Sequence, residues 1–174
     1  MILPKISLVF CITLSITQLK AMQNPTQNPI TLKNQTIILS DQQSSKISQP
    51  LVIEGKVIVE GKGQHLTLEN TCLIKKGAKF IIAHGVMLKI APTDGNRRPI
   101  QFEDNTGSII FKNAILQIKN LDETCLENGS FEFYEQCCLD VSKKILFINV
   151  NACFFSLLPN SSLEVVSGQI DYVK

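Results

Sequence analysis

The sequence is poor in the residues and motifs that most often carry catalysis. It contains no tryptophan, two tyrosines and two histidines, His65 and His84. A serine triad needs a histidine beside its nucleophile, and no nucleophile-elbow motif lies near either histidine. The glycine patterns of phosphate-binding loops and dinucleotide-binding turns are also missing, so Gly55, Gly61 and Gly63 are interpreted as residues of tight turns. The sequence therefore lacks the signatures of the common hydrolase and nucleotide-binding classes.

Charge is also scarce, and its two signs nearly cancel. Charged residues make up 18% of the chain, and the formal net charge is +2. If the segment up to Ala21 is removed, Lys5 and Lys20 leave with it, and the remaining basic and acidic residues are equal in number. Nucleic acids and anionic membranes select for basic patches, so we predict neither as a partner. The chain has instead a hydrophobic fraction of 44%, rich in Ile, Leu, Val and Phe, which favours β-strands.

The N-terminus is typical of an export signal. Met1–Lys5 carries one positive charge, an uncharged apolar stretch follows over Ile6–Leu19, and a polar segment begins after Ala21. This order predicts a signal peptide over residues 1–21 and a secreted or cell-envelope location. The apolar stretch is shorter than the roughly 20 residues of a membrane-spanning helix, so we expect no transmembrane span after signal removal. Leu19 is bulkier than usual for its place in a cleavage site, which leaves an uncleaved anchor or a buried first strand as alternatives.

Two polar stretches follow this segment. Residues 22–29 contain two Asn-Pro steps, and residues 41–45 are polar throughout. We interpret residues 22–45 as a polar linker and N-terminal cap, whose best candidate for a helical piece lies within residues 34–46. Residues 46–174 are then the folded domain.

Short apolar runs and small polar turns alternate from Leu51 onward. Five segments align on a common core, over residues 66–74, 80–90, 109–118, 131–141 and 148–157. One column of this alignment holds Asn70, His84, Asn113, Glu135 and Asn151, at an average spacing of about 20 residues, a usual repeat length for solenoids. Because stacked amide side chains hydrogen-bond along an axis, Asn70, Asn113 and Asn151 predict a structural asparagine ladder.

The repeat and the alternation together predict an all-β fold. We expect a short right-handed parallel β-helix, a solenoid of about five to six rungs, after the signal peptide. A β-sandwich is the alternative, since it explains the alternation but not the columns. The predicted inward-facing residues are Leu66, Leu68, Leu73, Ile82, Val86, Leu88, Ile109, Phe111, Leu116, Ile118, Phe131, Phe133 and Leu163.

Two phrases carry a resemblance to a known family. They are Val-Glu-Gly-Lys-Gly-Gln-His-Leu-Thr-Leu over residues 59–68 and Gly-Ser-Ile-Ile-Phe-Lys-Asn-Ala-Ile-Leu-Gln-Ile over residues 107–118. With them, the chain resembles the right-handed parallel β-helix (pectate-lyase-like) superfamily, and in particular secreted bacterial β-helix proteins of unknown function. The resemblance implies a fold more than an activity, because solenoids serve as lyases, hydrolases, adhesins and scaffolds.

The catalytic groups that the resemblance would imply are not evident. Lyases of this superfamily use clustered carboxylates for calcium and a basic residue, and the only two arginines lie in a turn-rich insertion over residues 91–99. There is no Asp-x-Asp-x-Asp pattern, and adjacent strand residues point to opposite faces. We therefore predict no catalytic residue, no metal and no cofactor. Because insertions in solenoids often form the binding face, we predict a binding loop formed by Asp94, Arg97, Arg98, Glu103 and Asp104.

The cysteines allow two interpretations. Five remain after signal removal, an odd number with no Cys-x-x-Cys pair. Cys72, Cys137 and Cys153 share one column, which favours buried thiols, with Cys72 free. Neighbouring rungs are about 4.8 Å apart, so a disulfide between Cys137 and Cys153 is the other interpretation in an oxidising compartment.

These observations predict an exported, non-catalytic protein that acts as a surface or envelope scaffold or as a binding module. Its partner would be a glycan or another protein, held through the solenoid face or end, and self-association is a further expectation. The alternative is a degraded or truncated polysaccharide lyase or hydrolase of the β-helix type.

Overall fold

The computed structural model describes residues 13–14, 28–40, 45–121, 123–148 and 154–173. The described residues form sixteen strands and no helix, as the all-β prediction requires. The strands are β1 Thr13–Leu14, β2 Ile30–Ile38, β3 Ser45–Ile47, β4 Leu51–Glu60, β5 His65–Leu68, β6 Cys72–Ile74, β7 Lys79–Ala83, β8 Met87–Ile90, β9 Ile100–Phe102, β10 Ser108–Lys112, β11 Ile115–Ile118, β12 Glu123–Glu127, β13 Ser130–Tyr134, β14 Gln136–Ile148, β15 Phe154–Leu157 and β16 Ser162–Val173.

The strand pairs of the described residues are all parallel, and they join strands that lie one turn apart in the chain. Leu51 of β4 lies beside Cys72 of β6, and Cys72 lies in turn beside Ile100 of β9. The chain therefore winds as a parallel β-solenoid of about five turns. This confirms the solenoid, and it excludes the β-sandwich, whose sheets are antiparallel.

The strands form three stacks. The first stack contains the beginnings of β2 and β4, then β6 and β9, and farther along β12 with the second halves of β14 and β16. The second stack runs β1, β2, β4, β7, β10, β13 and β15. The third runs β3, β5, β8, β11, and the first halves of β14 and β16. A complete turn of the chain thus adds one strand to each stack.

One continuous hydrophobic core fills the space between the stacks. Its largest fully buried side chains include four phenylalanines of the second stack, Phe80, Phe111, Phe131 and Phe133. All but one of the predicted inward residues lie in this core or pack against it. Leu73 is the exception: it is half-buried, while Cys72 and Ile74 on either side of it face inward. The prediction aligned the bend at Asn70 with the bends of the later segments, but Asn70 lies at a different corner, between β5 and β6, after which the inward positions begin again at Cys72.

The solenoid also begins earlier than predicted. β2 pairs with β4 along most of its length, so residues 30–38 belong to a rung and not to a linker. The predicted helical piece within residues 34–46 is wrong for its described residues, which lie in β2, in β3 or, for Leu39 and Ser40, outside any helix or strand. Asn34 bends β2 at a corner, with φ near 45°. Its side-chain oxygen accepts a hydrogen bond from the Lys56 N–H at 2.9 Å, which joins the first two rungs.

Candidate functional site

The insertion over residues 91–99 is the largest departure from the regular rung. It connects the third stack to the first, between β8 and β9. Its shape is fixed from within: the Asp94 carboxylate accepts the Asn96 N–H at 2.9 Å, and the Asn96 side chain accepts the Arg98 N–H at 2.9 Å. The Asn96 amide then donates to the Thr71 hydroxyl at 3.2 Å. In each of these turns, a side chain accepts a hydrogen bond from the backbone N–H two residues later. Together with the bond to Thr71, the turns hold the loop against the corner between β5 and β6.

The insertion interrupts the first stack. Within the described residues β9 and β12 share no register pair, although they are successive strands of that stack. A backbone hydrogen bond from the loop bridges the interruption, as the Cys125 N–H donates to the Arg97 carbonyl at 2.7 Å. The gap forms a cleft of about 200 Å³, lined by Arg98, Ile100, Gln101, Phe102, Cys125, Glu127 and Asn128.

Polar groups of the insertion and of β12 face each other across this cleft. The Arg98 guanidinium lies 2.8 Å from the Glu127 carboxylate, and the two side chains are 54% and 35% exposed. Gln101 of β9 is also exposed, and its amide donates to the Arg98 carbonyl at 3.4 Å. A pair so accessible to solvent contributes little to stability, so exchanging one of its contacts for a ligand would cost little.

The far wall of the cleft depends on one glycine. Gly129 has φ near 67° and lies against the Phe102 ring so closely that a Cβ at this position would overlap the ring. Phe102 in turn meets Phe131 edge to face, with ring centroids 5.7 Å apart. Gly129 therefore allows the rings to pack next to Asn128, which lines the cleft.

The five predicted loop residues separate into two groups. Arg98 lines the cleft and Arg97 supplies the bridging carbonyl, whereas Asp94 is used inside the loop. Glu103 and Asp104 lie at the next corner and face the preceding rung. The structure thus does not bring the three predicted carboxylates together.

Glu103 and Asp104 are held by neighbours of their own. Glu103 accepts the Lys76 N–H at 2.8 Å and the Lys75 ammonium at 2.9 Å, and these bonds lower the pKa of its carboxyl. Asp104 accepts the hydroxyl and the N–H of Thr106, which lowers its pKa as well. Both therefore act as structural acceptors that fix the corner after β9.

Three polar residues that line the cleft were not predicted: Gln101, Glu127 and Asn128. The last two belong to a Glu-Asn-Gly-Ser turn signal that is visible in the sequence. Nothing in the sequence assigns that turn to the same cleft as Arg98. Assigning the turn to this cleft requires the length of the rung between Arg98 and Glu127, and that length cannot be read from the sequence because the insertion is irregular.

The predicted asparagine ladder is not formed by the residues proposed for it. Asn70 lies at the corner between β5 and β6, where its amide donates to the Ser48 carbonyl at 3.3 Å. Asn113 lies at a different corner, in one column with His84 and Glu135, and all three have positive φ, near 46°, 56° and 61° respectively. The predicted third member, Asn151, lies outside the described residues. This column is thus defined by left-handed backbone rather than by amide stacking.

The cysteine predictions can be followed for two positions. Cys72 is a buried free thiol, and burial raises its pKa to about 12. Cys137 is also buried, and its sulfur lies 3.1 Å from the Tyr134 carbonyl. The partner proposed for it, Cys153, lies outside the described residues, so the disulfide stays a prediction.

A second, larger cavity of about 470 Å³ lies where the second stack turns into the third, near the N-terminal end. It is lined by Ile38, Leu39, Ser40, Glu60, Gly61, Lys62 and His84. The His84 imidazole is 3.9 Å from the Glu60 carboxylate and largely exposed. The His84 backbone is left-handed and its ring is exposed to solvent, as expected for a residue in a turn.

Comparisons with known proteins give no relative from which a function could be inferred. A scan against protein-family models, a search of curated proteins and a search of solved structures each found no match. The solenoid fold is established by the strand pairing alone, and membership of the pectate-lyase-like superfamily stays a prediction. In the described part of the chain, no helix is long and apolar enough to cross a membrane, and no three His, Cys, Asp or Glu residues are grouped to hold a metal ion.

Proposed function

We propose that this chain is an exported, non-catalytic β-solenoid that acts as a scaffold or binding module at the cell surface or envelope. The observation that supports it is the interrupted first stack, where an insertion turns a continuous sheet into a polar cleft. Loops held by a rigid scaffold are the usual place for binding residues. Arg98, Gln101 and Glu127 offer both donors and acceptors there, which suits the hydroxyl groups of a glycan or the backbone of a partner protein.

Photocrosslinking tests binding at this cleft. A benzophenone amino acid would be placed at Gln101, in the cleft, and in a control chain at Lys33, which is also exposed on the first stack but on an earlier rung. We expect a crosslinked species from an envelope extract of the source cells at position 101 and not at position 33. Replacing Arg98 with alanine should reduce it at least fivefold, whereas Lys33→Ala, which removes a similar pair with Glu54, should not. Equal crosslinking at both positions, or none at either, would contradict the proposal.

The alternative, a degraded or truncated polysaccharide lyase or hydrolase, can be tested on the same material. Such an enzyme would need convergent carboxylates, and those of Glu103 and Asp104 are engaged by Lys75, Lys76 and Thr106. We expect no unsaturated product and no new reducing ends after incubation with polygalacturonate. Product formation that Arg98→Ala abolishes would favour the enzyme.

Export is tested separately. The N-terminal residue of the protein isolated from source-cell fractions should follow Ala21 if residues 1–21 are a cleaved signal peptide. Recovery only from the cytosol would contradict the proposed location without affecting the binding test.

A further inference from the structure

The cleft around Arg98 is closed at both ends. At one end the Cys125 N–H donates to the Arg97 carbonyl at 2.7 Å. At the other end the Ser130 N–H donates to the Gly107 carbonyl at 3.0 Å. Between these two bonds, the segment through β9 is twice as long as the segment through the end of β12, so it bulges away and opens the cleft. A polymer that followed the cleft between the rungs would meet a backbone hydrogen bond at either end. The cleft therefore accepts a single unit of a ligand and not the middle of an extended chain.

The floor of the cleft carries backbone groups that lack a partner strand. β9 bonds to β6 through alternate residues, beginning with the Pro99 carbonyl, which accepts the Cys72 N–H at 2.7 Å. The N–H and C=O groups of the residues between, Ile100 and Phe102, therefore point to the other edge of β9, which faces β12. In the described part of the chain no backbone hydrogen bond from the next rung reaches these two residues, and both line the cleft. Because a backbone group that is buried without a partner is costly, these donors and acceptors require water or a ligand.

The side chains of the cleft balance each other in charge. The Arg98 guanidinium and the Glu127 carboxylate lie 2.8 Å apart, and the other lining residues that the structure describes carry no charge. Gln101 and Asn128 add amide groups, each with donors and an acceptor. A ligand carboxylate drawn to Arg98 would lie beside Glu127, and an ammonium group drawn to Glu127 would lie beside Arg98, so neither charge is favoured. The charged ends of a polypeptide are disfavoured for the same reason, whereas uncharged hydroxyl groups can bond to both residues.

The size of the cleft suits one sugar ring. Its volume of about 200 Å³ equals that of about seven water molecules in the liquid, which leaves no room for a helix or strand of a partner. We propose that the cleft binds a single uncharged sugar unit at the end of a glycan. The sugar hydroxyls would replace water on the backbone of Ile100 and Phe102 and share the hydrogen bonds of Arg98 and Glu127. This inference rests on the proposed function and selects a glycan over a protein as the partner.

NMR titration of the isotopically labelled chain tests the sugar site. The probes are the methyl glycosides of glucose, galactose and mannose, each beside the glycoside of the corresponding uronic acid, and a blocked tripeptide with a central asparagine. We expect the amide signals of Phe102, Glu127 and Gly129 to shift with at least one methyl hexoside. The matching uronic acid, which differs by a carboxylate, should bind about fivefold more weakly or less, because that carboxylate meets Glu127.

Two variants of the charged pair sharpen the test. Glu127→Gln removes the negative charge and keeps the shape, so the preference should reverse and the uronic acid should bind more tightly than the hexoside. Arg98→Ala should weaken hexoside binding about tenfold, as expected for the loss of a hydrogen bond from a charged donor. Lys33→Ala, which removes a similar exposed pair with Glu54, is the matched control and should leave binding unchanged.

The proposal is overturned if no hexoside shifts these signals, or if the uronic acids or the asparagine peptide bind as tightly as the hexosides. An unchanged preference in Glu127→Gln would overturn it as well. A protein crosslinked at position 101 without any hexoside shift would remove the sugar assignment and leave the binding function standing. Hexoside shifts without a crosslink at position 101 would keep the sugar site and count against a partner in the cell envelope, so the two proposals fail separately.

Discussion

Phe111 and Phe133 show at the scale of single residues how the core is built. The two rings lie one rung apart, with centroids at 5.1 Å and planes inclined by 10°, because their strands pair in register. Both side chains are fully buried. Such a stack forms only if both residues face inward on neighbouring rungs. The loss of stability on removing one ring therefore tests the register of β10 and β13.

Replacing Phe111 with alanine should lower the free energy of unfolding by about 3–5 kcal/mol, since it leaves a cavity under the Phe133 ring. Lys112→Ala on the next position, which faces solvent, is the control and should change stability by about 0.5 kcal/mol or less. Chemical denaturation of both variants measures the difference. A loss below about 0.5 kcal/mol for Phe111→Ala would mean that the strand is shifted by one residue.

Cys72 should resist alkylation in the folded protein. Its thiol is buried and its pKa is raised to about 12, so almost no reactive thiolate is present at pH 8. Cys138, which is partly exposed, should be modified first. Mass spectrometry with and without denaturant distinguishes the two sites, and labelling of Cys72 in the native state would contradict its place in the core.

The same pKa sets a direction for stability. The folded state raises the Cys72 pKa above its unfolded value near 9. The contribution of this thiol to the free energy of unfolding is therefore fully present below pH 9. That contribution is lost as the pH rises from about 9 toward 12.

At the scale of elements, the corners decide where strands bend. Gly55 has φ near 63°, and a Cβ there would overlap the Asn34 side chain that joins the first two rungs. Gly77 has nearly the same φ, 65°, but open space around it. Gly77→Ala should therefore cost about 1–2 kcal/mol from the left-handed backbone alone. Gly55→Ala should cost clearly more in denaturation experiments, and equal costs would show that the Asn34 contact contributes nothing.

Asp140 links three successive strands of the third stack. Its carboxylate accepts from Ser167 of β16 at 2.6 Å and from Gln117 of β11 at 2.7 Å, and Lys119 lies at 3.0 Å. These partners, Ser167 first, lower the pKa of Asp140. The stabilisation is therefore present above the ordinary carboxyl pKa and is lost as the pH falls through the lowered one.

Asp140→Asn should consequently speed amide exchange in β16 at neutral pH and make it less sensitive to acid. Asp104→Asn is the control, because the pKa of Asp104 is lowered mainly by Thr106 within its own turn. If both variants leave β16 exchange unchanged, the linkage through Asp140 does not stabilise the last rung.

The elements could be predicted where strand and turn lengths repeat, and not where they change. Residues 80–90, 109–118 and 131–141 were aligned as the structure pairs their first strands, with Ile109 beside both Phe80 and Phe131. The segment over residues 66–74 was displaced, because it straddles a corner and its apolar residues belong to two stacks. Of the cleft, only Arg98 could be predicted from the sequence. Its pairing with Glu127 depends on how strands far apart in the chain are aligned.

At the scale of the whole molecule, the account depends on parallel stacking of successive rungs. Several backbone hydrogen bonds at the corners show this stacking directly. In each of them an amide N–H donates to a carbonyl of the neighbouring rung. An antiparallel sandwich would instead join strands that run in opposite directions. The interruption of the first stack is defined by the same winding.

Scalar couplings measured through hydrogen bonds by NMR on the deuterated chain test this winding most directly. The account predicts couplings from the amides of Met87, Ile115 and Cys138 to the carbonyls of Gln64, Val86 and Ala114, respectively. Each amide is thereby linked to the preceding rung. Couplings that join strands in antiparallel order, or that link these amides to other carbonyls, would contradict the parallel solenoid.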